Sequence, residues 1–199
     1  MDVVVARYNE DTKWTSMLKG DFNLIVYDKG QGHLTPGQEQ VIGQPLPNVG
    51  REAHTYLHHI VTNWDNLAEY TIFLQGWPFD HFVKLNDIQK FIDGDVPEEG
   101  ISQIGTVRYI YCDVTGFPDY PNKPIGEYFK KILKKDPPDT IFFTIHGAQY
   151  IVHKSMIHNK SLDFWKDLLE MSETIEDFPW IIERLWLYIF AFDEFKKET

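Results

Sequence analysis

Residues 3–30, VVVARYNEDTKWTSMLKGDFNLIVYDKG, decide the fold. Val3-Val4-Val5-Ala6 is short, apolar and β-branched, and reads as a buried strand. Asn9-Glu10-Asp11-Thr12 is a polar turn carrying helix-start residues, and Trp14, Met17 and Leu18 then recur at helical spacing up to Gly20. Asn23-Leu24-Ile25-Val26-Tyr27 reads as a second strand, closed by Asp28-Lys29-Gly30. A strand–helix–strand opening is the start expected of an α/β domain with a parallel sheet.

Outward from this opening the same pattern continues. Residues 30–50 are rich in Gly and Pro without apolar periodicity and read as loop. Ala53, Tyr56, Leu57, Ile60, Val61 and Trp64 follow at helical spacing, so Gly50-Arg51-Glu52 opens a helix. Thr71-Ile72-Phe73-Leu74 is a third buried strand, broken by Gln75-Gly76-Trp77-Pro78-Phe79-Asp80-His81. Short helices are expected near Ile88–Ile92 and Glu127–Lys135, and longer ones over Leu162–Met171 and Trp180–Phe192. Strand character recurs at Val107–Cys112, Thr140–Thr144 and Gln149–Val152. The expected fold is a single α/β domain over residues 1–199, with a mixed, mostly parallel sheet and helices on both faces.

Length and charge narrow the function. One domain is the default for 199 residues, since domains run ~100–200 residues. Nineteen Lys and Arg against thirty Asp and Glu leave −11, a field that repels a phosphate backbone and disfavours nucleic acid as partner. A small anion remains compatible where a local cation reverses the sign. Cys112 is the only cysteine, so no internal disulfide can form. The N-terminus lacks signal-peptide features, and the longest apolar run, Leu185 to Phe192, falls far short of the ~20 residues that span a bilayer. The expectation is a cytoplasmic protein without a membrane span.

In open parallel sheets, ligands bind beyond the carboxyl ends of the strands. The residues expected there are Arg7-Tyr8-Asn9-Glu10-Asp11, Asp28-Lys29-Gly30, Gln75 to His81, and Asp113. Asn48-Val49-Gly50-Arg51 precedes a helix N-terminus, whose free N–H groups and a fixed guanidinium could hold a diphosphate; a plain helix cap is the alternative. Asp80-His81 suits a divalent metal, with Mn²⁺ or Mg²⁺ favoured by phosphate oxygens; turn hydrogen bonding by Asp80 is the alternative. Glu183 in the aromatic helix could serve as a base with Arg184 as its partner, or the two could form an exposed stripe. His54, His58 and His59 read as flank residues of an amphipathic helix, the competing reading being a zinc-binding His54–His58 pair. The lysines at 130, 131, 134 and 135 read as a solvated face. Trp77, Phe79, Tyr150 and Trp180 are aromatics that could line a sugar groove or fill the core.

Taken together, these segments resemble nucleotide-sugar glycosyltransferases of the GT-A fold. Val4-Val5-Ala6-Arg7-Tyr8-Asn9-Glu10-Asp11 and Val26-Tyr27-Asp28-Lys29-Gly30 resemble the first two strands of that family. Asn48 to Ala53 resembles the following helix, Gly147 to Lys154 the acceptor-side strand, and Glu183-Arg184-Leu185-Trp186 the late helix. A more specific similarity is to a family of uncharacterised domains sharing Gly-Arg-Glu-Ala-x-x-Tyr-Leu-x-x-Ile and Phe-Leu-Gln-Gly-x-Pro-Phe-Asp-His. Size and layout are also similar to the small capsid glycosyltransferases of large algal viruses, which would place the chain in host cytoplasm.

The resemblance implies a UDP-sugar donor, Mn²⁺ or Mg²⁺, and sugar transfer to a glycan or glycoprotein acceptor, with a nucleotide-binding half over about 1–82 and an acceptor-side half over about 83–199. It implies nucleotide contacts at Arg7, Tyr8, Asp28, Asn48 and Arg51, and metal contacts at Asp80 and His81. Glu183 and Asp113 are the candidate catalytic carboxylates, and Trp77, His146, Tyr150 and Arg184 the acceptor-side candidates. One departure stands out: where the family's Asp-x-Asp should end the third strand, this chain reads Gln75-Gly76-Trp77-Pro78-Phe79-Asp80-His81. A non-catalytic nucleotide- or carbohydrate-binding module of the same fold is therefore the alternative function. A metal-dependent hydrolase built on the His54–His58 pair is a third.

Overall fold

The first strand, β1 (Asp2–Arg7), lies inside a six-stranded sheet. The structure is a computed structural model and describes residues 1–30, 43–81, 83–98, 100–105, 111–112, 123–138, 142–143 and 148–195. β1 pairs in parallel with β2 (Asn23–Asp28) on one side and with β4 (Tyr70–Gln75) on the other. Beyond β2 lies β3 (Gln44–Pro45), also parallel. Beyond β4 lies β8 (Tyr150–His153), antiparallel, followed by β5 (Ile101–Gln103), antiparallel to β8. The order is β3-β2-β1-β4-β8-β5. The α/β class and the mixed, mostly parallel sheet flanked by helices are as the sequence predicts. A separate two-stranded ladder joins β6 (Tyr111–Cys112) to β7 (Phe142–Phe143).

Successive strand residues point to opposite faces, and here both faces are covered, which explains the unbroken apolar runs. Val3, Val5, Ile72, Leu74 and Ile151 pack on one side with Trp14 and with Ile88 and Phe91 of α2 (Leu85–Ile92). Val4, Phe73, Tyr150 and Val152 pack on the other. There they meet α1 (Arg51–Thr62), α3 (Ile125–Leu133), α5 (Leu162–Thr174) and α6 (Phe178–Phe195). A short helix, α4 (Lys154–His158), continues directly from β8. Among the described residues no helix is long and apolar enough to cross a membrane.

Local structure departs from expectation in several places. The first connection is a single 3-10 turn, Lys13–Met17, not an amphipathic α-helix, and Met17 is exposed. Asp11 Oδ1 accepts from Lys13 N at 2.9 Å and Thr15 Oγ1 donates to the Thr12 carbonyl at 2.8 Å. Such local side-chain bonds compete with helix propagation. α1 stops at Thr62, where Asn63 Nδ2 donates to the His59 carbonyl at 3.0 Å, so Trp64 begins a separate 3-10 turn. His54 and His59 are fully buried rather than flanking. β3, β5 and α4 fall where the sequence predicts no element.

Candidate functional site

The carboxyl ends of β1, β2 and β4 open on one cleft of about 500 Å³. It is lined from β1 by Ala6, Arg7, Tyr8 and Glu10, and from β2 by Lys29. Beyond β4 it is lined by Gln75, Trp77 and Asp80, and at the start of α1 by Asn48, Arg51 and Glu52. The chain leaves β1 towards β2 and β3 on one side and returns to β4 on the other. The cleft therefore sits where the strand order reverses, the place where open α/β sheets bind ligands.

Arg7 and Asp28 end adjacent strands in register. Arg7 Nη1 donates to Asp28 Oδ2 at 2.6 Å, and Nε donates to the Glu10 carbonyl at 3.0 Å. Arg7 is only 3% exposed, so this pair locks the floor of the cleft. Asp28 Oδ1 also accepts from Gly30 N at 2.8 Å, and its carboxylate is absent from the lining. Asp28 thus positions Arg7 and the turn. Gly30 is required there, because a Cβ would overlap the Tyr8 carbonyl oxygen. Glu10 Oε2 accepts from Tyr8 N at 2.6 Å, and a Cβ on Gly76 would press on the same carboxylate. The segment after β4 is pinned twice: Trp14 Nε1 donates to the Gly76 carbonyl at 2.9 Å, and Gln149 Nε2 to the Pro78 carbonyl at 3.1 Å.

At the opposite wall, Gly50 (φ 59°) and Arg51 (φ 49°) both take left-handed backbone conformations. A non-glycine residue there is strained and persists only when its surroundings impose it. Lys29 supplies part of that imposition: its Nζ donates to the Val49 carbonyl at 2.6 Å and to the Arg51 carbonyl. Burial pulls the Lys29 ammonium down to about 8, with Glu52 acting the other way. The Arg51 side chain is 59% exposed, and its guanidinium lies 5.5 Å from the Trp180 ring centroid. Lys123 sits at the same distance from that ring. Burial raises the Glu52 carboxyl, the Glu183 charge adds to the rise, and Arg51 and Lys29 oppose it.

The predicted residues divide accordingly. Arg7, Tyr8, Asn48, Arg51, Trp77 and Asp80 line the cleft, with Tyr8 and Trp77 as exposed aromatics at its mouth. Glu183 lies near Glu52 without lining the cleft, and Arg184 Nη1 approaches Glu183 Oε2 at 3.4 Å while donating to the Trp180 carbonyl at 2.5 Å. Tyr150 must be corrected: it is 0% exposed, sits between Tyr56, Phe73, Trp186 and Phe190, and belongs to the core. Asp113, His146 and the His81 side chain lie outside the described residues. The sequence places Glu10 and Lys29 among the strand-end residues without assigning either a ligand contact, and it gives Glu52 no site role. The signal for Lys29 was its place between Asp28 and Gly30 at a strand end; Glu52 read as an ordinary first-turn acid.

Asp80 supplies a hard oxygen donor at the cleft, the class that Mn²⁺ or Mg²⁺ prefers. Among the described residues no three His, Cys, Asp or Glu side chains cluster as a ready cage, for the His54–His58 pair or elsewhere. A cation at Asp80 would need phosphate oxygens and water to complete its shell, the usual manner of Mg²⁺ in nucleotide sites.

No curated protein matches the sequence. Among solved structures, the chain is similar to CMP:2-keto-3-deoxy-manno-octonic acid synthetase complexed with CTP. That similarity has 14% identity and a TM-score of 0.40, over 94% of this chain and 84% of the other. Residues 3–198 match a protein family across nearly their whole length, and the chain belongs to that family, described as "Protein of unknown function (DUF3431)".

Proposed function

We propose that the cleft binds a nucleotide sugar, and that the chain is a GT-A-like glycosyltransferase moving the sugar from a UDP donor to a carbohydrate or glycoprotein acceptor. One observation carries this reading: the cleft lies beyond the carboxyl ends of β1 and β4 at the reversal of strand order. Its contents suit the ligand. Tyr8 and Trp77 offer exposed ring faces to a base and a sugar. Arg51 and Asn48 offer donors to a diphosphate. A divalent ion held by Asp80 and the phosphates would neutralise charge on the departing diphosphate. Glu52 lines the cleft, and burial raises its carboxyl, so in its ionised form it is the candidate to take the acceptor's proton; Glu183 lies behind it as a neighbouring charge.

The test is thermal unfolding with UDP, with and without Mn²⁺. At 100 times Kd a ligand stabilises by about 2.7 kcal/mol. A chain of this size gains about 2–4 °C per kcal/mol, so a shift of roughly 5–10 °C is expected. Asp80→Ala should remove the Mn²⁺ increment and leave part of the UDP shift. Absence of any shift with UDP or other nucleoside diphosphates refutes the reading. The replacement of Asp-x-Asp by Gln75-Gly76-Trp77 favours a second reading, a binding module without catalysis. Binding of UDP without slow hydrolysis of any UDP-sugar in a panel would select it.

A further inference from the structure

Among the described residues, Lys29 is a buried cation without an ion-pair partner. It is 7% exposed, and among the described residues its hydrogen-bond partners are two neutral carbonyl oxygens, those of Val49 and Arg51. Among the described residues no carboxylate lies within ion-pair distance of its Nζ. Glu52 is near enough to act on it, yet burial pushes that carboxyl towards its neutral form. Removing an ammonium from water without a counter-charge is unfavourable unless something else compensates. An ammonium has three donors, and the two carbonyls account for two of them.

Lys29 also borders the cleft itself, beside Arg51 and Asn48. Its two carbonyl bonds fasten the turn that carries Arg51 and that starts α1. On the far side the turn is backed by α5, where a Cβ on Gly50 would stand 2.6 Å from the Ser172 carbonyl oxygen. Gly50 gives α1 no side-chain cap, and the first two residues of the helix, Arg51 and Glu52, line the cleft. A buried cation, an exposed guanidinium and a helix start thus converge on one wall.

We propose that Lys29 is the primary phosphate-binding cation of the cleft, its third N–H donating to an oxyanion of a diphosphate that Arg51 closes over from the mouth. The identity of the ligand as a nucleotide sugar rests on the reading above; the oxyanion site does not. The arrangement makes diphosphate affinity depend on one amine. Burial brings Lys29 to about 8, within reach of ordinary buffers, so the site loses its cation as pH rises through that value. The charged and titratable groups around it are Glu52 and Arg51 on α1, His54 and His58 one and two turns further on, Glu173 on α5 beyond them, and the mutually neutralised Arg7–Asp28 pair. His54 and His58 are pushed towards their neutral forms by burial, so neither changes charge above pH 7. The terminal phosphate of a nucleoside diphosphate loses its second proton at about 6, so its charge changes little above pH 7.

The experiment is calorimetric titration of the full chain with pyrophosphate, UDP and uridine in EDTA, from about pH 7 to 8.5, a range that crosses the Lys29 value and stays below the ionisation of the uracil ring and the last ionisation of pyrophosphate. With Lys29 at about 8, pyrophosphate and UDP should weaken by about fourfold across that range, while uridine stays level. Lys29→Gln should weaken UDP at least tenfold at pH 7 without changing uridine, and Lys29→Arg should bind UDP with a level pH profile. A level wild-type profile for UDP and pyrophosphate overturns the proposal, as does an equal loss of uridine and UDP in Lys29→Gln or a failure of pyrophosphate to bind. If either variant does not fold, the wild-type profiles decide alone. Pyrophosphate binding that depends on Lys29, with UDP no tighter than pyrophosphate, would sustain the oxyanion site and refute the nucleotide reading.

Discussion

Acid should unfold this protein through two buried imidazoles. Both His54 and His59 lie at about 4 in the folded chain, against 6.5 for a free side chain, and burial is the main cause for each. His59 Nδ1 lies 3.2 Å from the Tyr27 hydroxyl and 3.3 Å from Asn63 Nδ2. Its Nε2 lies 3.7 Å from Asp2 Oδ2, a spacing that suggests an ion pair. Burial depresses the imidazole and raises the Asp2 carboxyl, so both partners are driven towards neutrality and the contact is not a full ion pair. His54 Nε2 lies 3.3 Å from the exposed Glu173 carboxylate, with Lys29 and His58 opposing protonation. Between pH 6.5 and 4 the unfolded chain takes up a proton at each site that the folded chain refuses. Stability is therefore full above about 6.5 and is lost as pH falls towards 4. At 1.36 kcal/mol per unit, each imidazole removes about 3 kcal/mol over that window. The pair has a slope of about 2.7 kcal/mol per pH unit, against a total stability of about 5–15 kcal/mol. Asp2 and Glu52 act oppositely, since their folded values are raised. The comparison to make is wild type against His54→Gln/His59→Gln by urea unfolding at pH 7.5, 6.5, 5.5 and 4.5. Wild type should lose stability faster by about 2.7 kcal/mol per unit, and the C–H resonances of both imidazoles should hold their neutral positions to pH 5. Parallel stability profiles, or an imidazole titrating near 6.5, would refute the reasoning.

Other outcomes follow from the same geometry. Tyr150→Phe removes a buried hydroxyl that has no hydrogen-bond partner among the described residues, so stability should hold or rise by about 1–2 kcal/mol, measured by urea unfolding. Any acceptor kinetics should be unchanged by that substitution; a selective rise in acceptor KM would return Tyr150 to the site. Arg7→Met leaves Asp28 with a charge and no guanidinium, and should cost about 3–5 kcal/mol. Arg7→Met/Asp28→Leu should recover part of that loss, and a strictly additive cycle would contradict the pairing. Gly30→Ala should destabilise by about 1–3 kcal/mol and weaken UDP, because the added methyl displaces the Tyr8 backbone at the cleft floor.

The sequence made the parallel half of the sheet legible for a physical reason. Strands covered on both faces are short, apolar and β-branched, and Val3–Val5 and Ile72–Leu74 carry that signature. The rule for strand ends then ranked Arg7, Tyr8, Trp77 and Asp80 without any contact information. The antiparallel half was harder to read. β5 spans three residues, Ile101–Gln103, too few for alternation to register, and its place beside β8 depends on pairing across the chain. Tyr150 failed for a related reason: an aromatic in a strand has the same local signature whether it faces a sugar or Trp186. His54 and His59 looked like flank residues because helical spacing gives a direction but not what lies opposite. Here Tyr27 and Phe73 of the sheet cover His59.

The net charge of −11 is compatible with the proposed anion site because the two act over different distances. At physiological ionic strength, exposed charges are screened beyond about 8 Å. The acidic surface as a whole therefore contributes little inside the cleft, where Arg7, Lys29 and Arg51 face Glu10, Glu52 and Asp80 at close range. Arg7 is matched by Asp28, and Glu10 is turned onto the Tyr8 amide. Glu52 is pushed towards its neutral form. What remains towards the start of α1 is Lys29 and Arg51, and towards the end of β4 it is Asp80. The two ends of the cleft thus have opposite character: one offers cations to an oxyanion, the other a carboxylate to a cation. A diphosphate carrying a divalent ion satisfies both ends at once, whereas a neutral sugar satisfies neither.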